Sequence, residues 1–136
     1  MASPPASPPI LPLIVSVSIG GAVGAVARFL LSRFAAERFP DHAWLGTLAA
    51  NLIGCFLIGV GMYAAADLGR LSPTWRALLV TGFLGGLTTF STFGHEAVAL
   101  SRGEGWPLAA VHLAANVLGG LTLVWLGRKT GELLLT

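Results

Sequence analysis

The 136-residue chain is 54% hydrophobic and only 10% charged, with a formal charge of +2. A soluble domain normally carries about 25% charged residues, so this chain has too few polar groups to cover itself in water, and it offers no basic stretch to nucleic acid. Its one cysteine, Cys55, excludes an intramolecular disulfide and is a poor metal site alone; it reads as a packing residue.

Residues 1–10, MASPPASPPI, read as a disordered leader. They carry no positive n-region and the apolar run after them has no clear cleavage site, so a cleaved signal peptide is not expected. Residues 11–136 read as a single all-α transmembrane domain. A spanning helix needs about 20 mostly apolar residues, and four segments qualify: Leu11–Leu31, Trp44–Ala66, Trp75–Leu100 and Trp106–Leu126. The joins are Ser32–Ala43, Asp67–Thr74 and Ser101–Gly105. Trp44, Trp75 and Trp106 open the last three spans and Trp125 closes the fourth, as expected of an interfacial aromatic belt. Pro73 and Pro107 sit near helix starts, where a missing N–H costs nothing.

With four spans, Arg70, Arg76, Arg128 and Lys129 share one side, and Arg28, Arg33, Arg38 and Arg102 share the other. Orientation follows an excess of Lys and Arg on the cytoplasmic side, and here there is none. The direct reading is insertion in both orientations, which implies an antiparallel dimer about a two-fold axis in the membrane plane; the alternative is one orientation chosen by subtler effects. LAANLIG (48–54) echoes LAANVLG (113–119), and Gly20-Gly21 echoes Gly85-Gly86 at the same offset. Spans one and two could thus repeat as spans three and four, or the match could reflect Gly/Ala/Leu-rich composition.

Polar groups inside a membrane are costly and usually functional. The densest set is in span three, GFLGGLTTFSTF at 82–93. Glycine frees the backbone, and Thr and Ser offer it alternative hydrogen bonds. The segment reads either as a helix broken near mid-membrane, with carbonyls exposed to a hard cation, or as a close-packed interface with Gly82 and Gly86 as a GxxxG pair. Phe90 and Phe93 lie on nearly one helix face; their positive ring edges could face a small anion, or they could be ordinary core. Asn51, in mid-span two, is an interhelical clamp or a ligand, and Thr47 shares its face. His112 and Asn116 form a second polar stripe on span four. His95 and His112 lack the further ligands a metal site would need. Glu96 is a proton carrier or a structural anchor. Arg28 draws anions to a vestibule or snorkels to the interface. No nucleophile elbow, P-loop or zinc motif is present, so no enzyme is expected.

The 82–93 segment closely resembles the signature of the Fluc fluoride channels, also called CrcB proteins. GGAVGAVARF at 20–29 and GTLAANLIG at 46–54 resemble flanking motifs of that family in the same order. The resemblance implies an antiparallel, dual-topology homodimer in the bacterial cytoplasmic membrane, with two pathways that export fluoride passively and so confer fluoride resistance. It implies a structural sodium ion at the dimer centre, held by the backbone carbonyls of Gly85 and Thr88 from both subunits. It places Asn51 on the fluoride path, Phe90 and Phe93 in ring boxes, and Ser91, Thr89 and Thr92 among the hydroxyl donors. Arg28 matches the family's first-span arginine, and Glu96 falls at a commonly acidic position. The chain departs from the family in span four, where His112, Asn116 and Gly120 replace a tyrosine and serines. His112 would add pH sensitivity if it lines the path. A small multidrug transporter is the competing reading, but span one lacks the carboxylate it requires; a non-transporting interaction module would leave the polar cluster unexplained.

Overall fold

Four apolar runs become four helices: α1 (Ile10–Arg38), α2 (Leu45–Asp67), α3 (Pro73–Gly103) and α4 (Trp106–Leu135), each long and apolar enough to cross a membrane. The computed structural model describes residues 8–135, and no strand occurs among them. Most of the expected leader lies outside the described residues; Pro8 and Pro9 precede the first helix and Ile10 opens it.

The helices outrun the apolar segments that announce them. α1 continues past Leu31 to Arg38, so the first join shortens, and α4 continues past Leu126 to Leu135. The added turns are amphipathic and held by charge pairs one helical turn apart: Arg33 with Glu37 at 2.7 Å, and Lys129 with Glu132 at 2.6 Å. At 30 residues, α4 is about 45 Å long, well beyond a hydrocarbon core of about 30 Å. Arg128 ties this extension to the end of α2 with two hydrogen bonds to Asp67, at 2.8 and 3.1 Å.

Small residues decide which helices meet. α1 packs along the first half of α3: Gly20 and Gly24 lie against the carbonyls of Leu78 and Phe83, and in return a Cβ at Gly82 would come within 2.8 Å of Val17 O. Gly86 faces Gly21 O in the same way. Gly82 and Gly86 thus form the close interface that their GxxxG spacing allows. α2 packs along α4 by the same device, with Gly59 against Val124 O and Gly127 against Phe56 O. Ala50, Leu84 and Leu87 form a small core between the two pairs. Less than a third of each span's apolar window is covered by the rest of the chain, so most of the remaining surface requires lipid or another protein.

α3 is irregular in its middle. It widens to i→i+5 bonding over Ala77–Leu84 and returns to α-helix at Gly85–Leu87. The backbone then becomes extended at Thr88 (φ −84°, ψ 153°) and Thr89 (φ −149°, ψ 122°) before helix resumes at Phe90–Gly103. Threonine hydroxyls account for both edges. Thr88 Oγ1 donates to Leu84 O at 3.0 Å, and Thr89 Oγ1 accepts from Thr92 N at 3.2 Å, capping the new helix.

Candidate functional site

The extended pair Thr88–Thr89 faces a groove of about 490 Å³ between α2, α3 and α4. Asn51, Gly85, Thr88, Thr89, Phe90, Phe93 and Asn116 line it, among apolar neighbours that include Cys55. Sequence reasoning treated Asn51 and Asn116 as separate features on separate spans; the fold brings them into contact.

Asn51 is anchored first. Its Oδ1 accepts from Thr89 N at 2.8 Å, and its Nδ2 donates to Thr89 O at 3.2 Å. One side-chain amide therefore satisfies both backbone groups of an extended residue, as a neighbouring strand would. Nδ2 also donates to Asn116 Oδ1 at 2.9 Å. Asn116 Nδ2 then donates to His112 O at 3.0 Å and lies 3.4 Å from His112 Nδ1. The line continues to Glu96, whose Oε2 is 3.5 Å from His112 Nε2 and whose Oε1 accepts from Thr47 Oγ1 at 2.7 Å. Polar groups from α2, α3 and α4 thus run from the extended pair past Phe93 to the level of Trp44.

Two members of this line are buried and the other four are partly exposed. His112 is fully buried and Thr47 is 2% exposed. The His112 ring is held between Trp44, at 5.2 Å between centroids, and Phe93, at 5.3 Å. Three buried polar atoms here have no hydrogen-bond partner: Trp44 Nε1, Glu96 Oε2 and His112 Nε2. The sequence marks Trp44 as an interfacial anchor. Trp75, Trp106 and Trp125 are exposed, whereas Trp44 turns inward against His112. The signal was available: Trp44, Thr47 and Asn51 fall at i, i+3 and i+7, one face of α2.

The two phenylalanines separate. Their rings meet edge to face at 5.5 Å, but Phe93 is 5% exposed and Phe90 is 82% exposed. Thr89, Ser91 and Thr92 form a hydroxyl cluster, with Thr89 Oγ1 donating to Thr92 Oγ1 at 3.1 Å and lying 3.3 Å from Ser91 Oγ. Of the three, only Thr89 lines the groove. Arg28 is not part of the groove. Its Nε donates to Gly86 O at 3.1 Å from the α1 side, placing a cation at the carbonyl end of the first half of α3.

The expected cation ligands have a distinctive bonding state. A continuous helix would close Thr89 N onto Gly85 O and Thr92 N onto Thr88 O. Thr89 N is instead given to Asn51 and Thr92 N to Thr89 Oγ1. Gly85 and Thr88 both line the groove, and nothing lies within 4 Å of where a Gly85 Cβ would be. Their carbonyls are released from the ladder at an accessible surface, which suits a hard cation. Among the described residues no cluster of three or more His, Cys, Asp or Glu side chains could hold a metal.

Residues 15–128 match the family model described as CrcB-like protein, Camphor Resistance (CrcB). Among curated relatives, a protein of Pseudomonas putida is 44% identical over 85% of this chain and 93% of its own length. One from Aquifex aeolicus is 44% identical over 88% of this chain and 97% of its own. One from Escherichia coli is 46% identical over 82% and 87%. Each of the three carries the name fluoride-specific ion channel FluC.

Proposed function

The chain belongs to the CrcB family, a family of ion channels and not of enzymes, and from that premise we propose that it is a fluoride-selective channel. It spans the cytoplasmic membrane of a bacterium several times and lets fluoride leave the cell passively, lowering fluoride toxicity. The observation that carries the reading is the identity of about 44% over most of the chain to relatives named as fluoride-specific channels. The groove lined by Asn51, Thr89, Asn116, Phe90 and Phe93, with the polar line continuing from it through His112 and Glu96 to Thr47, supports it.

The chemistry follows from the ion. Fluoride is small and holds water tightly, so a selective path must replace that water with short, charge-assisted hydrogen bonds. Asn51 Nδ2 already donates to Asn116 Oδ1; fluoride takes that acceptor's place as it passes. Phe93 and Phe90 offer ring edges, whose partial positive charge suits a small anion. The helix beginning at Phe90 starts beside this region, with Thr92 N capped by Thr89 Oγ1. Chloride is larger and would not fit donors held this rigidly. No proton carrier or nucleotide is required, because the negative membrane potential drives the anion outward.

The working unit is an antiparallel homodimer inserted in both orientations. The four-against-four division of basic residues supports dual insertion. The exposure of Phe90 and the sparse coverage of each span leave a large apolar face for a second copy. A sodium ion at the dimer centre would be held by Gly85 O and Thr88 O of each subunit. It would supply a fixed positive charge and bind the two extended segments together.

The test is growth. Expression in a bacterium stripped of its own fluoride export should restore growth in millimolar fluoride, and Asn51→Ala should lose that rescue. Unrescued growth despite normal membrane levels of the protein would count against the proposal.

A further inference from the structure

We propose that His112 is a proton-binding site whose occupancy sets the polarity of the hydrogen-bond line and thereby makes fluoride passage pH-dependent; this deepens the channel reading and rests on it. The argument starts from the far end of the line. Thr89 presents a backbone N–H and a C=O, and neither can exchange roles. Asn51 meets them with Oδ1 at 2.8 Å and Nδ2 at 3.2 Å, so its amide can take only one orientation. Asn51 must then present Nδ2 to Asn116, which must answer with Oδ1, at 2.9 Å. That in turn fixes Asn116 Nδ2 toward His112, where it meets the backbone O at 3.0 Å and Nδ1 at 3.4 Å. Each amide orientation is inherited from the backbone of Thr89. The last link requires Nδ1 of His112 to be an acceptor.

The neutral tautomer with its proton on Nε2 satisfies this requirement. Nε2 points toward Glu96 Oε2 at 3.5 Å, and both atoms are buried without another partner. A second proton would sit on Nδ1 and oppose the Asn116 amide, donor to donor. Turning Asn116 over would repair that contact, but it would bring two NH₂ groups together at Asn51, and His112 O would keep only its backbone donor, Ala115 N. Turning Asn51 as well would set its NH₂ against Thr89 N–H. No arrangement of the line satisfies every group once His112 is charged. Protonation therefore loosens either the Asn116–His112 link or the grip on the extended Thr88–Thr89 segment.

The surroundings of His112 carry few other charges. From α3 the facing group is Glu96; His95 lies beside it in sequence and is exposed. From α2 comes the uncharged Thr47 and from its N-cap Trp44, and beyond Trp44 lies His42, its ring 6.2 Å from the indole. His112 itself is fully buried, and the ionisable group that meets its ring is Glu96, whose side chain is 21% exposed, so a proton reaches it from the Glu96 side.

The experiment measures fluoride efflux from liposomes at about pH 8 and about pH 5.5, with protein-free vesicles subtracted. Wild-type flux should fall by roughly tenfold at the lower pH, the effect of losing one or two hydrogen bonds, and His112→Gln should flatten the profile. Equal wild-type flux at both values, or an undiminished pH dependence in His112→Gln, overturns the proposal while leaving the channel reading intact. Absence of flux at every pH would strike the channel reading instead. The ¹⁵N spectrum of histidine-labelled wild-type protein then decides the proton site by itself. An acceptor-type Nδ1 at the higher pH that gains a proton at the lower supports it, and a protonated Nδ1 at the higher pH refutes it.

Discussion

Replacing Asn51 with alanine removes three hydrogen bonds at once: two to the backbone of Thr89 and one to Asn116. Such bonds contribute about 1 kcal/mol each in water-soluble proteins and about 0.6 kcal/mol between membrane helices. The total is therefore about 2–3 kcal/mol in favour of the extended conformation. Part of it is recovered, because a freed Thr89 N–H can return to Gly85 O and rebuild the helical ladder. A net loss of about 1–2 kcal/mol would cut the population of the extended form by roughly 5- to 30-fold. Asn51→Ala should accordingly assemble normally but conduct fluoride at a rate reduced by about that factor, with helix extending through Thr88–Thr89. Efflux from liposomes, normalised to folded dimer by size exclusion, gives the rate; hydrogen exchange at Thr89 gives the conformation. A correctly assembled variant with flux within about twofold of wild type would refute the clamp and its place in conduction.

Phe93→Ile should reduce fluoride flux strongly with only modest destabilisation, because a buried ring is exchanged for a smaller apolar side chain; unchanged flux would remove Phe93 from the path. Phe90→Ile, at an exposed position, should leave the isolated chain's packing intact and still lower flux, since in the proposed dimer this ring would face the second copy. Gly59→Val should abolish assembly rather than tune conduction, because a side chain there meets the backbone of Val124 and Arg128, which cannot withdraw; a stable variant by thermal melting would contradict the packing account. Adding three lysines after the C-terminus should bias insertion and depress activity, and co-expression with a copy biased the opposite way should restore it. Full activity of the biased copy alone would rule out the antiparallel dimer.

The four spans were legible because lipid demands long apolar runs whatever the tertiary structure. Their ends were not. Arg33, Glu37, Lys129 and Glu132 look like loop residues by hydropathy, yet their spacing closes ion pairs along helices that continue past the apolar core. The sequence leaves Gly82 and Gly86 open between a helix break and a close-packed pair, and which helix a glycine faces is a tertiary property: nothing in Gly24 says that it will lie against Phe83. The same holds for the site. Asn51, Asn116, His112 and Glu96 each stood out as polar groups in apolar surroundings, and their types were enough to nominate them. That they form one continuous line, and that its polarity is set by Thr89, depends on three helices meeting. The sequence left Asn51 as clamp or ligand; its three hydrogen bonds make it a clamp, and in the proposed conduction step it is also a ligand.

The most direct test of the central claim is the ion itself. Purified protein in potassium-loaded liposomes, with fluoride and chloride inside and valinomycin added outside, should release fluoride within seconds and retain chloride. Release of both ions alike, or of neither from a well-folded dimer, would contradict the assignment of this chain as a fluoride-selective channel.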